Sequence, residues 1–348
     1  MQYRHGGNLG VNMIKIALDA LGGDRSPDAN VEGAVKALNN IADIEITVFG
    51  NEKVLKELFS KYSYDKTRLN IVDAPDEITC NDKPTEAIRL KKESSLVKAI
   101  DYLKSSSDVN ALVSVGSTGA VLSGAVLKIG RIKGVKRPAL CPVLPTLDGG
   151  IVGVCDSGAN IECDAEQLVQ FAIMADLYMK KAYGLVSPKV ALLNVGTEEE
   201  KGDALRKEVY FRLKNLEDFN FVGNMESRDL LSGKYDLIVC DGFAGNVLLK
   251  ATEGTGLEFL KLLKKTFLKN LRTKLGASFL KKEITDIKTL MDYNNYGGAV
   301  LLGAAKTVVK GHGSSKSDSI YHCIEQAYNM EKNNLREAIA SAFSKNEQ

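Results

Sequence analysis

Five short segments of the sequence combine glycine with carboxylate, amide and hydroxyl side chains, and each lies where an apolar run ends. They are LDALGGD (18–24), SVGSTGA (114–120), CDSGAN (155–160), LLNVGTEEEKGD (192–203) and VCDGFAGN (239–246). A glycine-rich turn that enters a helix presents backbone N–H groups and the positive end of the helix dipole, which suits a phosphate group. Amides and carboxylates beside such a turn can donate to a developing oxyanion or accept a proton. The segments predict a site for an anionic substrate, if the fold brings them together.

Apolar runs rich in β-branched residues alternate with segments of helical period, which is typical of a parallel sheet covered by helices. The predicted strands are 14–19, 44–49, 69–73, 109–115, 150–155, 188–194, 219–222 and 235–240. The predicted helices include 28–39, 51–60, 84–104, 118–129, 164–182, 202–214, 244–271 and 317–344. Ligands of open α/β sheets bind at the carboxyl ends of the strands, so we expect the five segments to share one rim. Taken singly, each segment also suits an ordinary turn or cap.

Composition excludes several classes of protein. The 348 residues carry a formal net charge of +2, which disfavours a general nucleic-acid-binding surface, and no apolar run is long enough to span a bilayer. Six cysteines without a C-x-x-C pair predict reduced thiols in a cytosolic protein, with neither a disulfide framework nor a metal site. We interpret residues 1–12 as an extension outside the fold and 13–348 as one large domain. The proline- and glycine-rich segment 130–150 is the best candidate for a crossing between lobes.

Standard nucleotide-binding and hydrolase motifs are missing from the sequence. It contains no G-x-G-x-x-G, no G-x-x-x-x-G-K-[ST], no G-x-S-x-G and no H-E-x-x-H. Of the three histidines, His5 lies in the extension and His322 lies in a predicted helix, which favours a structural role. His312, in KGHGSS (310–315), is flanked by glycines and followed by hydroxyls, so it either faces a ligand or belongs to a turn.

Long, ordered motifs make the chain resemble the bacterial phosphate acyltransferase family PlsX. The motifs are IALDALGGDRSPDANVEGA, VGSTGAVLSGAVLKIGRIKGVKRPALCPVLP, LLNVGTEEEKGD, FVGNMESRDLLSGKYDLIVCDGFAGNVLLK and VVKGHGSS. The resemblance implies a Rossmann-like three-layer α/β/α fold, related to phosphotransacetylases and isopropylmalate dehydrogenases. It also implies a homodimer, peripherally associated with the membrane, that makes acyl-phosphate from acyl-[acyl carrier protein] and orthophosphate at the start of phospholipid synthesis. We expect a cytoplasmic protein without a cofactor.

The chain departs from the family pattern at two positions. The family usually has G-N-T-G-A where this chain has Ser117 in the second position, and G-G-D-H where this chain ends in Arg25. Serine keeps a hydrogen-bonding group but loses the amide donor, and arginine keeps a cation but loses a titratable base. Neither of the family's residues is therefore an indispensable general base if this protein is active.

Acyl transfer from a thioester to phosphate needs no covalent catalytic group, because phosphate is itself a nucleophile at neutral pH. It needs a site that holds phosphate beside the carbonyl, donors for the oxyanion and a means of stabilising the thiolate. We predict that Ser117, Thr118 and Gly119 bind phosphate with Lys201 nearby, and that Asp241 accepts a proton or orients Asn246, its alternative role being an N-cap. Four asparagines follow or end a strand, so their amides are candidates to orient phosphate or donate to the oxyanion: Asn160, Asn194, Asn224 and Asn246. Further candidates for binding phosphate or substrate are Asp19, Gly22, Gly23, Asp24, Gly196, Gly242, Lys250 and Lys306. Each of these residues has a turn, cap or surface role as the alternative.

The segment 257–282 is basic and amphipathic, with eight Lys or Arg residues against Glu258. We predict a protruding helical element that binds an anionic membrane surface. Docking of the acidic carrier protein is the second-ranked interpretation. The alternative is a core-facing stripe or a dimer interface. The contact residues predicted from the helical spacing are Leu260, Leu263, Lys264, Phe267, Leu271 and Leu275.

Three other functions are compatible with parts of the sequence. A phosphotransacetylase-like enzyme that uses acyl-CoA would share the phosphate corner but would not require the basic helix. A non-catalytic membrane-bound scaffold would depend on 257–282 and not on Asp241 or Asn246. A dinucleotide-dependent dehydrogenase is disfavoured, because the chain has no dinucleotide fingerprint.

Overall fold

The computed structural model describes residues 13–290 and 297–344, so the predicted extension 1–12 lies outside the described residues. The strands are β1 (Ile14–Asp19), β2 (Ile44–Gly50), β3 (Leu69–Asp73), β4 (Val109–Ser114), β5 (Ala139–Cys141), β6 (Val143–Pro145), β7 (Ile151–Cys155), β8 (Val190–Asn194), β9 (Phe221–Glu226), β10 (Leu237–Val239), β11 (Ala299–Leu302) and β12 (Thr307–Lys310). The helices are α1 (Asp28–Asn40), α2 (Glu52–Phe59), α3 (Pro84–Leu90), α4 (Ser95–Ser105), α5 (Thr118–Gly124), α6 (Ala165–Tyr183), α7 (Ala204–Lys214), α8 (Gly242–Phe267), α9 (Leu271–Phe279), α10 (Lys281–Leu290), α11 (Ser317–Lys332) and α12 (Leu335–Ser344).

The strands form two sheets. The first has the order β3-β2-β1-β4-β12-β11-β5, and the second has the order β6-β7-β10-β8-β9. Most pairs are parallel; β11 is antiparallel to both of its neighbours, and β6 is antiparallel to β7. The chain passes from the first sheet to the second between β5 and β6, at Pro142, which lies within the segment 130–150 where the sequence predicts a crossing.

Helices cover both faces of the sheets. In β1, Ile16 and Leu18 join an apolar core that also contains residues of α1, α6 and α11, and this core extends beneath both sheets. Ala17, between them in sequence, points to the other face and packs with residues of α4 and α5. On the corresponding face of the second sheet, Ile238 packs with Leu248 of α8. Successive residues of a strand point to opposite faces, so this burial pattern confirms the predicted three-layer α/β/α fold.

The main differences between the predicted elements and the structure are of two kinds. The predicted helices 84–104 and 317–344 are each two helices, since Ser94 caps α4 through the Val97 N–H and Asn334 takes a positive φ between α11 and α12. Strands β5, β6, β11 and β12, each of three or four residues, were not predicted. Within the described ranges, we find no helix with the length and apolarity required to cross a membrane.

Candidate active site

A cleft of about 310 Å³ opens at the carboxyl ends of the parallel strands of both sheets. In the first sheet, β2 lies on one side of β1 and β4 lies on the other. The connections that follow β1 and β4 therefore start side by side and continue in opposite directions. This is the topological switch point, where open α/β sheets bind ligands. The predicted site residues that line the cleft are Gly22, Asp24, Ser117, Thr118, Asn246, Lys250 and His312.

The loops after β1 and β4 touch through two glycines. Gly22 has a φ of +91°, and a Cβ atom built on it would lie 2.9 Å from the Cα of Gly116. Only glycine accommodates both that backbone conformation and that approach. The first turn of each loop is therefore set by backbone contact, which places Ser117 and Thr118 at the wall of the cleft.

Asp19 supports this wall from beneath. Its carboxyl group is buried and accepts hydrogen bonds from the hydroxyls of Ser95 (2.6 Å) and Ser114 (2.7 Å). Ser114 Oγ in turn accepts from the backbone N–H of Gly116 at 3.1 Å. Burial raises the pKa of Asp19 to about 6, against the opposing effect of the two hydroxyls. Asp19 is therefore placed to hold the β4 loop in position, and it does not line the cleft itself.

Lys310 lies at the end of β12, is buried and lines the cleft. Its Nζ donates to the backbone carbonyl of Gly311. Desolvation lowers the pKa of the ammonium group to about 8, so it is largely protonated at pH 7. No carboxylate of residues 13–290 or 297–344 forms an ion pair with it, which leaves the charge for an anionic ligand. Sequence reasoning missed Lys310, although it follows the run TVV and precedes Gly-His-Gly, as at the other strand ends.

Ser157 follows β7 and is a second residue that sequence reasoning missed. It lines the cleft, is 5% exposed, and its hydroxyl has no hydrogen-bond partner in the part of the chain that the structure describes. Buried hydroxyls are nearly always paired, so an unpaired hydroxyl on a residue that lines the cleft is a candidate ligand-binding group. Asn246 approaches the same loop, since a Cβ atom built on Gly158, the next residue, would lie 3.1 Å from Asn246 Nδ2.

The rim of the cleft carries Asp24, Lys250 and His312. The Asp24 N–H donates to the Gly313 carbonyl at 2.9 Å and so joins the loops after β1 and β12. Partial desolvation, together with the charges of Lys250 and Lys310, lowers the pKa of His312, so the imidazole is neutral at pH 7. Its Nδ1 accepts from the N–H of Ser314 at 3.2 Å, which places the proton on Nε2.

Comparison with known proteins identifies the family. The family model described as "Fatty acid synthesis protein" matches residues 14–338. A phosphate acyltransferase of Clostridioides difficile is 42% identical over 95% of this chain and 97% of its own length. One from Caldanaerobacter subterraneus subsp. tengcongensis is 45% identical over 92% of this chain and 95% of its own. The chain belongs to the phosphate acyltransferase family. It is therefore an acyltransferase, as the motifs predict.

Solved structures share the fold of this acyltransferase. A phosphotransacetylase from Streptococcus pyogenes superposes with a TM-score of 0.58 at 17% identity, over 92% of this chain and 94% of that one. The EutD phosphotransacetylase from Staphylococcus aureus gives a TM-score of 0.58 at 16% identity, over 91% and 94%. At this identity the likeness shows the fold alone, and it confirms the predicted phosphotransacetylase-like fold.

The segment 192–203 does not line the cleft of the acyltransferase. Asn194 holds its own loop, because its side-chain amide donates to the Lys201 carbonyl at 3.1 Å and its carbonyl accepts from the Val195 N–H at 2.8 Å. Asn224 donates to the Glu198 carbonyl at 2.8 Å and anchors the same loop, which also contains Gly196. The roles predicted for these residues in phosphate binding or catalysis remain predictions.

The start of α8 is fixed by a network in which Asp241 is the N-cap. Its carboxylate accepts from the Ala244 N–H at 2.8 Å and forms an ion pair with Arg206. The N–H of Gly242 donates to the Asn160 carbonyl at 2.7 Å, and the Asn160 amide donates to the Pro138 carbonyl at 2.8 Å. These contacts match the cap that the sequence left open as the alternative role for Asp241, and they hold α8 so that Asn246 reaches the cleft.

Three further candidates lie outside the cleft. The N–H of Gly23 donates to Ser26 Oγ at 3.1 Å and shapes the β1 loop. A Cβ atom on Gly119 would lie 2.7 Å from the ring of Pro84, so Gly119 packs against α3. Lys306 donates to the Val109 carbonyl at 2.7 Å, at the amino ends of β12 and β4. Because these strands are parallel, Lys306 lies at the edge of the sheet opposite the cleft.

Beyond Leu248, the end of α8 together with α9 and the described part of α10 forms an arm in which no residue of 249–285 is buried. Of the predicted contact residues, Leu260, Leu263 and Phe267 are half-buried, whereas Lys264, Leu271 and Leu275 are exposed. Sequence reasoning missed other exposed apolar side chains of the arm, which are Leu257, Phe259, Leu262, Leu268, Phe279 and Leu280.

Proposed function

We propose that this acyltransferase makes acyl-phosphate from a long-chain acyl-[acyl carrier protein] and orthophosphate, for glycerophospholipid synthesis. The observation that carries the proposal is the cleft, which is lined by Lys310 with its buried ammonium, by Ser157 with its unpartnered hydroxyl, and by Asn246. Buried cations and unpaired donors at strand ends suit a small, highly charged anion. Orthophosphate is such an anion, and the names of the relatives support it as a substrate.

Phosphate is proposed to bind between Lys310 and the loop after β4. Ser117 is the residue before α5, and its side chain makes no capping hydrogen bond, so its hydroxyl can serve a ligand. Thr118 adds a second hydroxyl at the same wall. Serine in place of the family's usual asparagine preserves a donor at this position.

In the proposed reaction, a phosphate oxygen attacks the thioester carbonyl directly. The new C–O bond gives a tetrahedral oxyanion, which Ser157 and Asn246 stabilise as donors, and the C–S bond then breaks. The sulfur leaves as a thiolate and takes a proton from Lys310, whose pKa of about 8 is close to that of a thiol. The neutral amine then regains a proton from the hydrogen phosphate group, which loses it on becoming acyl-phosphate. No acyl-enzyme is required, because phosphate supplies the nucleophile.

We expect Asn246→Ala to lower kcat/KM about 100-fold, as the loss of one oxyanion donor does. Because Asn246 lies on the open side of α8, the melting temperature should stay unchanged. The measurement is acyl-phosphate formation from palmitoyl-[acyl carrier protein] and labelled phosphate, repeated with palmitoyl-CoA and acetyl-CoA. Activity with acetyl-CoA alone would replace the proposal by a phosphotransacetylase activity, and no activity with any donor would favour a scaffold.

Asp241→Asn is the comparison variant for the same assay. Loss of the ion pair with Arg206 should lower the melting temperature, with a smaller loss of activity than that of Asn246→Ala. If Asp241→Asn instead lost activity as strongly as Asn246→Ala, at an unchanged melting temperature, then Asp241 would take part in the chemistry.

The arm formed by the end of α8, α9 and α10 is proposed to lie on an anionic membrane surface. Phe279 is 84% exposed and Leu271 is 79% exposed, and both stand among lysines and arginines. Exposed apolar side chains on a basic helical element suit the interface of a bilayer with anionic lipids. We further propose that the protein is a cytoplasmic homodimer and that the same basic face attracts the acidic carrier protein.

Replacing Phe279 by serine should weaken binding to phosphatidylglycerol vesicles about threefold to tenfold, since one large apolar contact is lost. Co-sedimentation with phosphatidylglycerol and with phosphatidylcholine vesicles measures the effect. Phe211→Ser is the matched control, because Phe211 is 68% exposed on α7, away from the arm. Equal binding by both variants would contradict the membrane proposal. Reduced turnover of acyl carrier protein substrates without a change in vesicle binding would assign the arm to the carrier.

A further inference from the structure

An apolar groove leads out of the polar cleft along α8. It is lined by Leu144, Pro145 and Leu147 on one side and by Leu257 and Leu260 on the other. Leu144 and Glu253 line both the cleft and the groove, so the two are continuous. The interior of the groove is about 60 Å³, against about 310 Å³ for the cleft, so the groove is the smaller of the two.

One face of α8 forms the floor from the cleft to the groove. The residues that line it recur three and four positions apart, which places them on the same side of a helix. They begin as Asn246 and Lys250 in the cleft and end as Leu257 and Leu260 in the groove. This face therefore changes from polar to apolar in the direction of the chain, with Glu253 at the junction.

We propose that this groove binds the acyl chain of the substrate, with the reacting carbonyl in the cleft and the tail directed along α8 towards Leu260. The inference rests on the proposed function and specifies how that site accommodates a long-chain donor. At 1.5 Å per residue, Gly256 lies about 15 Å along the helix from Asn246. The hydrocarbon core of a bilayer, about 30 Å across, contains two acyl layers, so one long chain also extends about 15 Å.

The junction suits the passage of an apolar chain. Glu253 is half-buried; burial raises the pKa of its carboxyl group, and the charge of Lys250 opposes this shift. Lys250 lies 3.9 Å from that carboxyl group, on the cleft side. Thr252, which also lines the groove, adds little polarity, because its hydroxyl already donates a hydrogen bond to the Leu248 carbonyl at 2.8 Å.

Chain-length dependence tests the inference. Gly256 lines the groove, so Gly256→Phe should lower kcat/KM with palmitoyl-[acyl carrier protein] at least about 10-fold and with butyryl-[acyl carrier protein] less than about 2-fold. Gly254→Phe is the matched control on the same helix, since a Cβ atom at Gly254 meets no atom within 4 Å, and its chain-length profile should equal that of the native enzyme. Leu260→Asn should shift the profile in the same direction, should Gly256→Phe not fold.

The outcomes separate this inference from the proposed function. A native enzyme inactive on every donor would refute the proposed function itself. An active native enzyme whose profile is unchanged by Gly256→Phe and Leu260→Asn would overturn the groove assignment alone. An equal loss of kcat/KM with both donors, together with an altered molar mass in light scattering, would also overturn the groove assignment. It would indicate that a second copy of the chain occupies the groove.

Discussion

Replacement of Lys310 by methionine is expected to lower kcat/KM for acyl-phosphate formation at least about 1,000-fold, while the protein stays folded. Lys310 is the buried ammonium in the cleft, and it has two proposed tasks, binding phosphate and protonating the thiolate. Loss of one preorganised donor costs about 100-fold to 1,000-fold, so the loss of a charged group with two tasks should reach the upper end. The measurement is steady-state kinetics with phosphate as the varied substrate.

The same variant should be more stable than the native protein at pH 7. Desolvation lowers the pKa of Lys310 from 10.5 to about 8, so the folded state disfavours the charged form. The resulting penalty on folding is fully present below pH 8 and disappears as the pH rises to 10.5. Methionine removes the charge and keeps the volume, so the free energy of unfolding should rise by up to about 3 kcal/mol. Urea denaturation at pH 7 measures this change.

Activity should show the pH dependence expected from the pKa of Lys310. Because the protonated form of Lys310 binds phosphate, KM for phosphate should rise as the pH increases through about 8, the pKa of that group. Lys306→Met is the control, since Lys306 lies at the opposite edge of the sheet, and its activity should stay within about 2-fold of native. A Lys310→Met enzyme with native kinetics and a native pH profile would remove Lys310 from the mechanism.

Replacement of Gly245 by alanine is expected to destabilise the protein by about 3 kcal/mol and to abolish most of its activity. Gly245 lies in the first turn of α8, and a Cβ atom there would be 2.0 Å from the backbone carbonyl of Asp156 and 2.8 Å from Cys240 Sγ. The backbone after β7 must then move away from α8. Since Ser157 follows Asp156 and Asn246 follows Gly245, both proposed oxyanion donors would be displaced.

A second glycine of the same helix serves as the control. Gly254→Ala adds a methyl group in open space and replaces glycine in a helix interior, which favours the helix by about 0.5–1 kcal/mol. Its melting temperature and activity should therefore equal or slightly exceed those of the native protein. Equal thermal stability of Gly245→Ala and Gly254→Ala would show that the contact between α8 and the β7 loop does not constrain the fold.

The order of the strands explains which predicted corners reach the site. The loops after β1 and β4 meet because these strands are parallel neighbours, and carboxyl ends of parallel neighbours share an edge. The loop after β8 was predicted on the same grounds, yet β10 lies between β7 and β8 in the second sheet. The segment 192–203 is thus one strand further from the cleft, and no local sequence pattern specifies the order of the strands.

Local signals in the sequence were sufficient for the alternation of strands and helices, the layered fold and the family, because periodicity, turn residues and ordered motifs are properties of adjacent residues. Tertiary structure alone decided that Lys310 and Ser157 face one cleft. β12 pairs with β4 although nearly two hundred residues separate them. The burial that lowers the pKa of Lys310 and encloses the unpaired Ser157 hydroxyl exists only after that pairing and the docking of α8. Desolvation depends on what packs around a group, which a linear sequence does not specify.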